Sequence, residues 1–78
     1  MKNPSDINAI GKHLKQLRQK AKLTQNALAF DAGIGRRTIQ EIEAGEKSMT
    51  VDLLISICRA LGIQPEEFFK GFVIEIEE

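Results

Sequence analysis

At 78 residues the chain has room for one small domain and no second one, since a chain this short buries only about 60 per cent of its unfolded surface on folding. Its 42% apolar and 28% charged residues are an ordinary globular mixture, with four Phe and no Trp or Tyr. An aliphatic core follows, and no apolar run approaches the ~20 residues that span a bilayer. The net charge of zero conceals an asymmetry: residues 1–47 hold nine Lys/Arg against five acids, and residues 48–78 hold two against six. A basic half joined to an acidic one suits a polyanion on one face, although idle solvated charge would look the same.

In chain order, Ile7, Ile10, Leu14, Leu17 and Ala21 recur at spacings of three and four, which predicts a helix near 6–22 behind the cap candidates Asn3-Pro4-Ser5-Asp6. Thr24 is a good N-cap for a short helix that Gly33 ends. Ile39 and Ile42 carry a third helix over about 36–44, stopped by Gly45. Thr50 and Asp52 open a fourth, with Val51, Leu54, Ile55, Cys58 and Leu61 as its apolar positions and Gly62 as its end. Pro65, Glu66 and Glu67 read as a fresh helix start, with Ile63 placed to staple against Phe68, for one or two turns ending at Gly71. Four of the six glycines thus stand just past helix ends.

Two short helices around Gly33 form a helix-turn-helix, whose second helix can enter a DNA major groove. With Arg36 at zero, Gln40 falls at about 40°, Ala44 at about 80°, Arg37 at about 100° and Glu41 at about 140°, while Thr38, Ile42, Ile39 and Glu43 fall between about 200° and 340°. One face is polar and the other is core. A pair of arginines in the first turn opposes the helix dipole, so their placement favours an anionic partner over a solvated helix end. Arg offers a fork that fits guanine O6 and N7, and Gln can do likewise for adenine.

Ile10-Gly11, Leu14, Leu17-Arg18, Thr24-Gln25, Leu28-Ala29, Ala32-Gly33-Ile34, Thr38-Ile39, Ile42-Glu43, Gly45, Leu54, Ile57 and Ala60-Leu61-Gly62-Ile63 together resemble the Cro/cI repressor-type helix-turn-helix family, also called the xenobiotic response element family. The likeness covers about residues 7–71. It implies an all-α, five-helix, lambda-repressor-like domain over 1–71 and a DNA-binding function. Residue by residue, it implies that Arg36 and Arg37 read base edges, with Gln40 and Glu41 next along the groove face. Gln25 would touch the DNA backbone and brace a recognition side chain, and Lys15, Thr38 and Lys47 join it as backbone contacts. Arg18 and Glu43 would form a structural pair between the first and third helices. Glu41 would face phosphates unfavourably unless it pairs with Arg37 four residues earlier or accepts from cytosine; the Arg37 pair is favoured. Asn26-Ala27 departs from the family, where an acid commonly closes a capping box with the residue at Thr24.

The expected function is a sequence-specific regulator, a small repressor or autoregulator acting by operator occupancy, with no cofactor and no small-molecule ligand required. The alternative is a protein-interaction module, such as an antitoxin or a bridging factor, on the same fold. Enzymatic activity is not expected, because no nucleophile with a base, pair of catalytic acids or phosphate loop is present. The single His13 and single Cys58 cannot assemble a metal site. Cys58 reads as a buried, inert thiol and His13 as solvated or phosphate-facing. A polar N-terminus without a signal-peptide core leads us to expect a cytoplasmic protein with no membrane partner.

A homodimer is expected from surplus apolar surface in the acidic half. On the fourth helix, from Val51 at zero, Ile55 falls at about 40° and Ala60, Leu53, Ile57, Leu61, Leu54 and Cys58 fill about 180° to 340°, an apolar arc of about 220° in all, against the roughly 100° that one core face needs. Leu53 and Ile57 are therefore assigned to an interface. In the tail 72–78, Phe72, Ile74 and Ile76 alternate with Glu75 and Glu77, a strand period that suggests pairing with a two-fold mate; a tail laid on the core is the other reading.

Overall fold

The computed structural model describes residues 4–76. The cap candidate Asn3 and the acids Glu77 and Glu78 lie outside them. Five helices follow one another: α1 (Pro4–Lys20), α2 (Gln25–Ala32), α3 (Arg36–Glu43), α4 (Val51–Leu61) and α5 (Pro65–Phe68). Helix α1 packs on α3, α2 on both α3 and α4, and α4 on α5. The all-α, five-helix architecture expected from the sequence is what forms.

Local chemistry explains the boundaries. Proline is tolerated in a first turn, where its missing N–H has no helical acceptor, and α1 starts on Pro4, two residues before the expected place. It also ends two residues early. Lys22 adopts a left-handed conformation, φ 61°, while the Leu23 N–H closes back on the Arg18 carbonyl at 3.1 Å. Helix α5 makes a single turn, with the Gln64 N–H donating to Glu67 Oε1 at 3.3 Å.

The core is aliphatic apart from one ring: Leu14, Leu28, Ile39, Ile42 and Ile57 are fully buried together with Phe68. Cys58 is buried among them, and burial pushes its thiol pKa up, as expected of an inert small hydrophobe. Gly11 sits where α1 crosses α3 so closely that a Cβ would overlap the Ile42 carbonyl oxygen. At Gly45, which ends the α3 segment, φ is 75° and the Asn8 side chain occupies the space a Cβ would need.

Two expectations are corrected. His13 is neither solvated nor free for phosphate: it is half-buried, its Nε2–H donates to the Phe68 carbonyl, and its ring meets those of Phe68 and Phe72 edge-on at 5.1 and 5.3 Å. Ile57 is 0% exposed and has no surface to offer a second copy. Most of the wide apolar arc of α4 is covered within the chain, by α2 and α5 together, and Leu53 is half-buried against the same core. Val51 and Ile55, 72% and 43% exposed, face outward instead. Residues 72–76 form no strand within the single chain, where an isolated strand lacks the backbone partners that would hold it. Among the described residues no helix is long and apolar enough to cross a membrane.

Candidate nucleic-acid interface

The interface is assembled from the ends of α2 and α3. Thr24 caps α2 by accepting from the Ala27 N–H at 3.0 Å. At the other end Gly33, φ 68°, lets the Ile34 N–H reach the Ala29 carbonyl at 2.9 Å. This left-handed closure turns the chain within three residues, so Gly35 becomes the N-cap of α3. Gly35 has no side chain to satisfy the first N–H groups, and the first turns of both α2 and α3 hold no acid. Two positive helix ends are therefore left uncompensated, and Arg36 and Arg37 stand at one of them.

The faces of α3 divide as the angular arithmetic predicts. Ile39 and Ile42 are fully buried, Arg36 and Arg37 are exposed, and Gln40 and Glu41 are half-exposed between them. Arg37 Nε lies 3.9 Å from Glu41 Oε2 across one helical turn, so the acid on the polar face is held by the expected partner. At that distance the pair is loose and solvated, worth a few tenths of a kcal/mol at most. Thr38 is half-buried on the flank of α3, and Lys15 and Lys47 are exposed on α1 and on the loop after α3.

Beneath this face lies the Arg18–Glu43 pair expected between α1 and α3. Arg18 Nε donates to Glu43 Oε2 at 2.7 Å and Nη2 donates to Oε1 at 3.0 Å, a two-pronged contact. Arg18 is 8% exposed. Its remaining prong is used as well, since Nη1 donates to the Leu23 carbonyl at 2.8 Å. The hydrogen bond to Glu43 raises the guanidinium pKa, with burial opposing. A buried pair is stable only when every lone pair and proton finds a partner, and Gln25 Nε2 completes this one by donating to Glu43 Oε1 at 3.1 Å. Gln25 thus braces the structural pair.

Sequence reasoning missed this role of Gln25 and the close approach at Gly11. The signal for Gly11 was present: a glycine inside an otherwise good helix costs about 1 kcal/mol relative to Ala and calls for a packing reason.

Residues 14–68 match the helix-turn-helix family HTH_3. The chain is 34% identical over 58 residues to control protein C.BamHI of Bacillus amyloliquefaciens, covering 73% of this chain and 72% of that one. It is 32% identical over 62 residues to the uncharacterized HTH-type transcriptional regulator y4mF of Sinorhizobium fredii, covering 80% and 78%. Of solved structures, the restriction-modification controller protein C.AhdI from Aeromonas hydrophila superposes with a TM-score of 0.79 at 31% identity, over 83% of this chain and 98% of that one. The clp gene regulator ClgR from Corynebacterium glutamicum superposes at 0.77 with 25% identity, over 88% and 95%. With five helices in the order and packing that the residues dictate, and a family match spanning both halves of the turn, the chain belongs to the Cro/cI-type helix-turn-helix family, HTH_3.

Proposed function

We propose that the protein is a sequence-specific DNA-binding transcriptional regulator, a small repressor or autoregulator that occupies a near-palindromic operator as a two-fold dimer. The observation that carries this reading is α3 itself: two exposed arginines at an uncompensated helix N-terminus, on a helix whose opposite face buries Ile39 and Ile42 completely. Arg36 and Arg37 read base edges from the major groove, with Gln40 beside them. Glu41 holds Arg37 until a base takes its place. Lys15, Thr38, Lys47 and the N-terminus of α2 at Gln25 lie along the phosphates. Two relatives are named as control or controller proteins, which supports regulation as the output.

The dimer reading rests on apolar surface left exposed in the acidic half. Val51 and Ile55 on α4 and the tail residues Ile74 and Ile76 supply it, flanked by the half-buried Leu53 and Phe72. A two-fold pair places its recognition helices about 34 Å apart, one turn of DNA. Selection of bound duplexes from a randomised pool, followed by titration of the selected sequence at two salt concentrations, tests the reading. A shared half-site, repeated in inverted orientation, and a steep fall of affinity with salt are expected, because each neutralised phosphate releases counterions. No enrichment and no salt dependence would instead favour a protein-interaction module.

A further inference from the structure

We propose that the C-terminal tail of one copy seats in a groove of a second copy, formed between the end of α1 and the α4–α5 turn. The inference rests on the dimer proposed above and gives it a specific contact. The groove, of about 380 Å³, has an apolar floor of Leu17, Ala21, Leu61 and Ile63. Lys20 and Lys70 form its rim, with Glu67 as the one acid. The tail has the complementary chemistry. Val73, Ile74 and Ile76 are 88%, 60% and 80% exposed, and the sequence interleaves and follows them with Glu75, Glu77 and Glu78. Apolar side chains for the floor and carboxylates for two lysines occur within six residues.

The chain's own tail is aimed elsewhere. Lys70 borders the groove, but Gly71 turns the backbone at φ 80° and Phe72 packs edge-on against His13. Residues 72–75 then line a separate hollow with Ser5, Asp6 and Ala9, at the opposite end of α1. Ala9 and Leu17 are eight residues apart, which is about 12 Å along a helix. In that hollow Glu75 shares the lining with Asp6, a like charge, so the tail's acid is better matched by lysines on another copy. With a two-fold axis the exchange is reciprocal and closes on itself.

Two surface variants of the full chain test this, one with the groove reversed (Lys20→Glu with Lys70→Glu) and one with the tail reversed (Glu75→Lys with Glu77→Lys). Sedimentation equilibrium is expected to give each variant alone a dimer dissociation constant at least about tenfold above that of the unmodified chain, since each places like charges together. An equal mixture of the two restores the unmodified value, because each tail then meets a groove of opposite sign. A dimer indifferent to the groove reversal overturns the inference, and is what tail-to-tail strand pairing would produce. Recovery only when all four changes are in one chain also overturns it, by placing the tail in its own groove. If the groove reversal lowers the urea midpoint, Ile76→Asp serves as the second variant, with the same weakening expected and an unchanged dimer overturning the proposal. An unmodified chain that sediments as a monomer would remove the dimer reading and this contact with it, whereas a dimer unmoved by every variant would remove the contact alone.

Discussion

Helices α2 and α4 are held at both ends by the same devices. Each begins on a threonine in an extended conformation, Thr24 and Thr50, whose hydroxyl accepts from the N–H three residues on, at 3.0 and 3.4 Å. Each ends on a left-handed glycine followed by an isoleucine whose N–H reaches back five residues: Ile34 to the Ala29 carbonyl at 2.9 Å, and Ile63 to the Cys58 carbonyl at 3.0 Å. The difference is charge. Asp52 stands in the first turn of α4 and Glu66 with Glu67 in that of α5, whereas α2 and α3 have no acid there. Caps decide where these helices begin and end, and the charges around them are free to serve another purpose. On α4 and α5 they compensate the helix dipole; on α2 and α3 the dipole is left for a ligand.

The largest test concerns what joins the basic half together. Replacing Glu43 by Ala strands Arg18 with one backbone acceptor, and a loss of about 3–5 kcal/mol is expected, out of roughly 4–12 kcal/mol for a domain of this size. Urea midpoints for Glu43→Ala, Arg18→Ala and the double variant form a cycle. Strict additivity would mean that the pair contributes no coupling. Next come Arg36→Ala and Arg37→Ala, each expected to lose about 1–3 kcal/mol of specific affinity and to relax discrimination, while Lys15→Ala weakens all duplexes alike. Gel-shift titration against selected and scrambled duplexes separates the two behaviours.

A smaller change would erase the difference between the helices directly. Asn26→Asp gives α2 the acid that α4 has at the equivalent position. The expected result is about 0.3–1 kcal/mol more stability from the dipole, read as a raised urea midpoint, together with weaker DNA binding. If affinity is unaffected, the N-terminus of α2 does not face phosphate. The smallest effect is that of Asp52 itself. Its carboxyl, on the surface, is held below the usual range, first by a hydrogen bond from the Thr50 hydroxyl and then by backbone N–H groups. A lowered carboxylate pKa contributes stability above its unfolded value, about 3.9, and loses it as pH falls through the folded value. The urea midpoint of the unmodified chain should therefore drop below about pH 4 slightly more than that of Asp52→Asn.

Most of the fold was readable because its signals are local. Thr24, Gly33, Thr50, Gly62 and Pro65 each mark a boundary by their own backbone chemistry, and Glu41 finds Arg37 by helical spacing alone. The Arg18 and Glu43 contact spans 25 positions, and it was foreseen through family resemblance, not periodicity. What could not be read was how many neighbours share one helix face. Periodicity shows that α4 has a broad apolar arc, but not that two other helices cover it, and so Ile57 was assigned outward while Val51 and Ile55 are the exposed residues. The same limit hid His13, whose partners Phe68 and Phe72 lie more than fifty positions away.

The backbone contact at Gly11 bears on how an operator would be read. Helix α3 is held at its Ile42 carbonyl by the main chain of α1, and at Glu43 by the Arg18 and Gln25 side chains. A helix seated on another helix's backbone cannot rock to suit a groove that is slightly too wide or too narrow. The misfit must then be absorbed by the duplex, at an elastic cost that depends on its base steps. Bases between the half-sites, beyond the reach of any side chain, would in that way influence occupancy through their stiffness.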